Sequence, residues 1–313
     1  MKSDLIKLSI VLPVFNGGDY LKAAIESILN QTFTNFELII LNDGSTDESI
    51  KVIKHFAEKD SRIVVVDREN RGLVATLNQG VQLARADLIA RMDADDVSMP
   101  ARLKIQYEFM LNNPDIVAAG TGYMLVDERS NKIRKFLPEV SNEVLQVQAL
   151  RASTPICHPT AIFRKREFLS VGGYREEAML AEDLDLWLRI GEQGNIGNVS
   201  DVLLNYRQHS NSLSESKQIK QIAVMNAVAL EACSRRKILP PSELLKPLDH
   251  WRSTGTKESN YAQILRYGWW AWLDGNVNTA RIYAWKAVRL NPGAIISWKL
   301  LYCSWLCSYR ASQ

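Results

Sequence analysis

LSIVLPVFNGGDYLKAAIESILNQ, residues 8–31, changes its periodicity halfway along. The first eight residues form an apolar run rich in β-branched side chains, which reads as a buried strand. From Asp19 to Gln31 the apolar positions fall at helical spacing. The same unit then repeats. FELIILND (36–43) reads as a strand and STDESIKVIKHFAEKD as the helix after it. RIVVVD (62–67), GLVATLNQGVQLAR, DLIARMD (87–93) and PARLKIQYEFMLNN continue the alternation. Continuously apolar strands alternating with helices specify βαβ units and a mostly parallel sheet covered on both faces, an α/β fold. Ligands of such sheets bind beyond the carboxyl ends of the strands. Those ends carry Phe15-Asn16, Asn42-Asp43, Asp67 and Asp93, and three of the four hold an aspartate.

The chain has 313 residues, enough for more than one domain, and its 46% hydrophobic and 23% charged content is that of a globular protein. A net charge of +3 is too small to imply a nucleic-acid partner. Cys157, Cys233, Cys303 and Cys307 form no CxxC pair, so neither a zinc site nor a disulfide scaffold is indicated, and a reducing cytoplasm fits. The N-terminus has no long apolar core followed by a cleavage site, so no secretion signal is read there. Between about 116 and 210 the alternation becomes irregular: strand IVAAGTGYMLVD, helix EVLQVQALR, strand TAIFR, helix AEDLDLWLRIGEQG with Gly194 as its stop, strand VLLNYR. From about 214 the pattern is helical, and GNVNTARIYAWKAVRLNPGAIISWKLLYCSW is similar to a single tetratricopeptide-like helix pair. One such pair cannot stand alone as a solenoid, so it reads as a helical cap. The expected organisation is an α/β domain over 1–213, with halves at about 1–115 and 116–213, and a helical extension over 214–313.

Three acidic motifs bear on chemistry. RMDADDVSMP (91–100) gathers Asp93, Asp95 and Asp96 where a strand hands over to a helix. The plainer explanation is an acidic first helical turn, with Ser98 as cap and Pro100 just inside. That accounts for one acid, not three, and the mutual repulsion calls for a counter-charge. A divalent cation such as Mg²⁺ or Mn²⁺, shared with a diphosphate, supplies it. LNDGSTDES (41–49) places Asp43 at a strand end, with Gly44 for a tight turn and Ser45 or Thr46 as a helix cap. A carboxylate there can accept a hydrogen bond from a nucleobase N–H. MLAEDLDLWLR (179–189) sets Glu182 and Asp183 at a helix start. Asp183 is favoured over Asp185 as a functional acid, because the helix tip projects into a cleft. His158 reads as a packed loop residue, the commoner fate of a lone histidine, and His209 as a solvated loop residue; either could be a metal ligand, which spacing alone does not show.

These motifs, with ENRGLVATLNQG, HPTAIFRK and GGYREE between them in order, strongly resemble family-2 glycosyltransferases, the inverting enzymes of the GT-A fold. The resemblance covers roughly residues 7–215. It implies that Pro13, Val14, Phe15 and Asn16 line a nucleotide pocket, that Asp43 binds the base, and that Arg71 contacts the nucleotide. It implies further that Asp93 and Ala94 lie near the ribose, that Asp95 ligates Mn²⁺ or Mg²⁺ with His209 as a second ligand, and that Asp183 is the catalytic base. Asp96, Glu182, His158, Arg164 and Gly173 match supporting or acceptor-side positions. The implied reaction moves a sugar from a nucleotide donor, by default a UDP-sugar, to a hydroxyl of a glycan or lipid-linked saccharide.

Two other classes compete. A nucleotidyltransferase would need a basic residue in the N-terminal glycine loop, and LPVFNGGDYL has none; there is no GxxxxGK[ST] run either. A binding protein without turnover is disfavoured by the presence of Asp95 and Asp183. AIISWKLLYCSWLCSY (294–309), interrupted by Lys299, falls short of the roughly 20 apolar residues needed to span a bilayer. It reads either as a buried helix of the cap or as a helix lying on the inner membrane surface.

Overall fold

The first strand, β1 (Leu8–Val14), is buried along its whole length. Leu8, Ile10, Leu12 and Val14 enter one hydrophobic core and Val11 another. A strand buried on both faces must sit inside a sheet with cover on each side. The computed structural model, which describes residues 6–209, 218–245 and 256–310, shows that arrangement. α1 (Leu21–Leu29), β2 (Phe36–Asp43), α2 (Ser49–Ala57), β3 (Ile63–Arg68), α3 (Leu73–Leu83) and β4 (Leu88–Arg91) complete the alternating part. β1 pairs in parallel with β2 and β4, and β2 with β3. The spatial order β3-β2-β1-β4 sends the chain to one side of β1 and then to the other. The carboxyl ends of β1 and β4 therefore flank a topological switch point, where open α/β sheets form their binding crevice.

Past β4 the sheet becomes mixed. β5 (Val97–Ser98), α4 (Arg102–Asn112), β6 (Ile116–Asp127), β7 (Lys132–Phe136), α5 (Asn142–Leu150), β8 (Ile162–Arg164), α6 (Lys165–Ser170), α7 (Glu182–Ile190) and β9 (Asn195–Gln208) follow. β8 lies between β4 and β6, antiparallel to both, and β5 pairs antiparallel to β9. Three local expectations are corrected. Ser98 does not cap α4: it is held in β5 opposite Leu204, and the helix begins at Arg102 behind Ala101. Ser45 and Thr46 do not cap α2, which starts at Ser49 behind Glu48. α7 stops at Ile190 with Gly191 as its C-cap, while Gly194 serves a close approach, since a Cβ there would lie 2.4 Å from Val117 Cγ1.

The chain folds into two compact units. The first comprises Met1–Tyr123, Leu137–Tyr206 and Lys220–Lys246. It includes all but the first two residues of α8 (Gln218–Arg235), whose Val228, Ala229 and Ala232 pack with Ala149, Leu184 and Leu188. The second comprises Met124–Phe136, Arg207–Ile219 and Pro247–Gln313, with helices α9 (Lys257–Leu273), α10 (Val277–Leu290) and α11 (Ile295–Arg310). Its core joins Ala284, Val288, Leu300 and Leu301 to Leu265, Trp269 and Trp272. Buried Asp127 organises its hairpin, accepting from Arg129 N, Asn131 N and Asn131 Nδ2, and from the Tyr283 hydroxyl at 3.1 Å. The expected boundary at 213–214 lies outside the described residues. No helix among them is long and apolar enough to cross a membrane.

Candidate active site

Two loops meet at the carboxyl ends of β1 and β2. Asn16 takes a positive φ of 52°, and its side-chain oxygen accepts from Thr46 N at 2.8 Å while its own N–H donates to Ser45 Oγ at 2.9 Å. Ser45 and Thr46 are thus engaged in clamping the neighbouring loop. Gly17 N donates to Ser49 Oγ and Gly18 N to Asp47 Oδ2, each at 3.0 Å. Phe15 beside them is 55% exposed although it directly follows a fully buried strand. Asp43, buried at the end of β2, accepts from Arg71 N and Gly72 N at 2.9 Å and pairs with Arg68. Among the described residues three N–H groups donate to this carboxylate, whose two oxygens offer about four acceptor sites. The Arg71 side chain is exposed at the same loop.

At the end of β4, Asp93, Asp95 and Asp96 bring carboxylate oxygens within 4.8 Å of one another. No helix dipole holds them there, because α4 begins only at Arg102 and has no acid in its first turn. Two buried guanidiniums lie against them instead. Arg91 pairs with Asp93. Arg102 spans Gln106 Oε1 at 2.9 Å and the Arg91 carbonyl at 2.6 Å, and feels the charges of Asp96 and Asp93. Burial, with Arg91 nearby, brings the Arg102 pKa down to about 10. Burial pulls Arg91 the same way, but the charge and hydrogen bond of Asp93, together with Tyr174 and Asp96, outweigh it and the pKa is raised. Burial, and the charge of Asp95 after it, push the Asp93 carboxyl up. Two cations against three carboxylates leave a net negative site of hard oxygen donors, which suits a divalent cation.

The second acidic group sits on α7. Every residue of that helix is buried except Asp183, which is partly exposed near the tip. Glu182 Oε2 accepts from Leu180 N at 2.8 Å, and burial followed by the charge of Asp183 pushes its pKa up to about 7. Asp185, by contrast, is committed to packing: it pairs with Arg175 and Arg189. Arg189 also donates to the carbonyls of Val171 and Gly173. Gly173 itself has φ +70°, and a Cβ there would meet Asn78 Oδ1 at 2.6 Å. Tyr174 follows this turn, and its hydroxyl lies 2.9 Å from His158 Nε2. His158 is packed against Tyr174 and Trp187, and burial with Arg91 nearby lowers its pKa well below the usual histidine value.

The two acidic groups share their surroundings. The Cys157 thiol is pushed well up by burial and then by Asp96, Asp183 and Asp93 together. Tyr174 feels Asp183, Glu182 and Asp93. Arg91, Cys157 and Tyr174 thus lie within electrostatic reach of both acidic groups, and neither Arg91 nor Cys157 was singled out from sequence as a site residue. The available signal was Arg91 closing an apolar strand immediately before the acids. Arg164 is not brought to this group. It sits opposite Leu88, at the amino end of β4, and donates to the carbonyls of Ile116, Met110 and Asn113. His209 directly follows β9 and is partly buried.

A mixed sheet whose parallel half carries a switch-point crevice, with an Asp-x-Asp loop and an acidic helix tip close by, is the arrangement of a GT-A glycosyltransferase, and known proteins agree. The family model described as Glycosyl transferase family 2 matches residues 9–172, and the chain belongs to that family. It is 39% identical over 213 residues to the O-antigen biosynthesis glycosyltransferase WbnJ of Escherichia coli, covering 67% of this chain and 82% of the relative. It is 32% identical over 250 residues to the putative glycosyltransferase EpsE of Bacillus subtilis, covering 77% and 88%. Among solved structures, S. aureus TarS 1–349 in complex with UDP-GlcNAc aligns with a TM-score of 0.60 at 18% identity, covering 98% of this chain and 92% of that one. The mannosyltransferase PcManGT of Pyrobaculum calidifontis, in complex with GDP-Man and Mn²⁺, aligns at 0.57 and 16%, covering 97% and 81%.

Proposed function

We propose that this glycosyltransferase transfers a sugar from a nucleoside-diphosphate donor, a UDP-sugar by default, with inversion at the anomeric carbon. The acceptor is a hydroxyl of a glycan or lipid-linked saccharide, and the setting is polysaccharide biosynthesis, as the name of the O-antigen relative suggests. The reading is carried by one observation: the partly exposed carboxylate of Asp183 and the acids at the end of β4 lie close enough to one another that Asp183 and Asp93 bear on both Cys157 and Tyr174, with Asp96 adding to the field at Cys157. One site thus offers a base and a place for a charged leaving group.

The nucleotide lies over the loops of β1 and β2. Pro13 to Asn16 line its pocket, and the exposed ring of Phe15 offers a flat apolar surface. Asp43 takes the base N–H with its remaining acceptor site, Arg71 reaches the phosphates, and Asp93 with Ala94 borders the ribose. Asp95, with His209 as a second ligand, would hold Mn²⁺ or Mg²⁺. Such a cation, when bound, supplies Lewis-acid stabilisation of negative charge on the diphosphate. Asp183 removes the proton of the acceptor hydroxyl. That oxygen attacks the anomeric carbon as the bond to the diphosphate breaks, and the leaving group departs with the electron pair. Asp96, Glu182, His158 and Gly173 support this arrangement through charge and packing. Free thiols at Cys157, Cys233 and Cys303 suit a cytoplasmic location.

The test is a panel of UDP-, GDP- and dTDP-sugars assayed for binding and turnover, with and without Mn²⁺. One donor should be turned over by the wild type only with metal. Asp95→Ala should lose donor binding, and Asp183→Ala should bind donor without turning it over. A folded protein that binds no nucleotide in the presence of metal would overturn the proposal.

A further inference from the structure

The exposed face of α11 carries the side chains that a helix in water normally buries. Its inward side is Ser297, Leu300, Leu301 and Ser304, all buried, with the two leucines in the core of the second unit. Its outward side carries Ile295, Trp298, Tyr302 and Trp305 at spacings of three, four and three, so they form one stripe. Ile295 is 84% exposed, Tyr302 66% and Trp305 57%. Leu306 lies beside them, and α10 adds exposed Ile282 and Trp285. Scattered exposed apolar residues are ordinary, but a continuous aromatic stripe marks an interaction surface.

Charge identifies the occupant. Residues 275–313 contain five Lys or Arg and no Asp or Glu, whereas the whole chain holds 38 basic and 35 acidic residues. The positive excess of the protein is therefore concentrated on these two helices. Arg281 lays its guanidinium over the Trp305 ring at 4.3 Å, and Arg289 and Lys299 are exposed. Rings at the headgroup level with cations snorkelling to phosphate are the pattern of an interfacial helix. The Trp298 indole N–H already donates to the Pro292 carbonyl at 2.8 Å, so it needs no water when the ring is covered. A second copy fits poorly, because a self-complementary contact would set cations against cations with no acid in the segment to answer them. No described helix is long and apolar enough to span a bilayer.

We infer that α10 and α11 dock the protein in the plane of an anionic membrane surface, with the Ile295-Trp298-Tyr302-Trp305 stripe in the boundary between headgroups and acyl chains. This does not depend on the proposed catalytic roles. The test is co-sedimentation of the full chain with vesicles of phosphatidylcholine alone or mixed with phosphatidylglycerol. Wild type should bind the mixed vesicles more tightly than the neutral ones, with blue-shifted tryptophan emission. Trp298→Ser with Tyr302→Ser and Trp305→Ser should weaken binding by about tenfold or more. Arg289→Gln and Lys299→Gln should each weaken it about fivefold on anionic vesicles only. Circular dichroism and nucleotide binding should be unchanged in all variants. The inference is overturned if wild type ignores both vesicles, or if the triple variant binds as well as wild type. It is equally overturned if the stripe mediates a dimer, without vesicle binding, that the triple variant abolishes. Loss of nucleotide binding in the wild type would instead count against the catalytic proposal alone.

Discussion

Asp43 shows how one side chain can hold a whole loop in place. Its carboxylate ties the backbone of Arg71 and Gly72 to the end of β2 and pairs with the largely covered Arg68. Asp43→Asn keeps the shape but removes the charge and leaves Arg68 without its carboxylate. Breaking a buried pair from one side costs roughly 3 kcal/mol. The urea midpoint should fall accordingly, and nucleotide affinity should fall with it as the 70–72 loop loosens. Asp183 behaves differently, because it is partly exposed on a helix that is otherwise buried. Asp183→Asn should leave stability and donor affinity nearly unchanged while reducing kcat by roughly 10²–10⁴-fold, the usual contribution of a general base. Equal losses in kcat and donor binding would point to a structural role instead. Glu182 adds a pH dependence. Its pKa rises from 4.5 to about 7 on folding, so the native state holds the proton more tightly. The contribution of Glu182 is then fully present below pH 4.5 and is lost as the pH rises through about 7. Glu182→Gln should flatten the urea midpoint across that window and stabilise the protein most at its alkaline end.

At the level of elements, close packing outweighs intrinsic propensity. Gly80 lies within α3, where alanine is normally the better residue by up to about 1 kcal/mol. A Cβ there, however, would sit 2.4 Å from Val11 Cγ1 and 3.0 Å from Leu41 Cδ1, on the strands that the helix covers. Overpacking of that kind costs roughly 1–3 kcal/mol. Gly80→Ala should therefore be destabilising overall, with a lower urea midpoint and an unchanged m value. The elements themselves were largely legible, since FELIILND is β2 to the residue and the apolar runs alternate as strands in a covered sheet must. Their ends were less so, because tertiary contacts set them. Ser98 looks like a cap only until β9 is seen to pair with it, and Gly194 looks like a helix stop although its function is to let Val117 approach.

For the molecule as a whole, long-range pairing decides which local features share a site. The sequence placed acids at several strand ends, but only the order β3-β2-β1-β4 puts the loops of β1 and β4 across one crevice. Spacing could not reveal that Arg91 and Arg102 lie beneath the Asp93 group, since their role depends on burial rather than on period. That arrangement yields a test of the assembled site through linkage. A ligand that binds only the native state stabilises it by about 2.7 kcal/mol at a hundred times its Kd. With two guanidiniums against three carboxylates, a diphosphate alone meets a net negative rim, and a divalent cation removes that repulsion. UDP should therefore stabilise the wild type against urea strongly with Mn²⁺ and weakly after chelation with EDTA. Asp95→Ala should show the weak response under both conditions, while Asp183→Asn should respond as the wild type does. If chelation leaves the UDP-induced shift intact, the acidic cluster does not hold a metal for the nucleotide, and the assignment of Asp95 fails even if transfer activity is found.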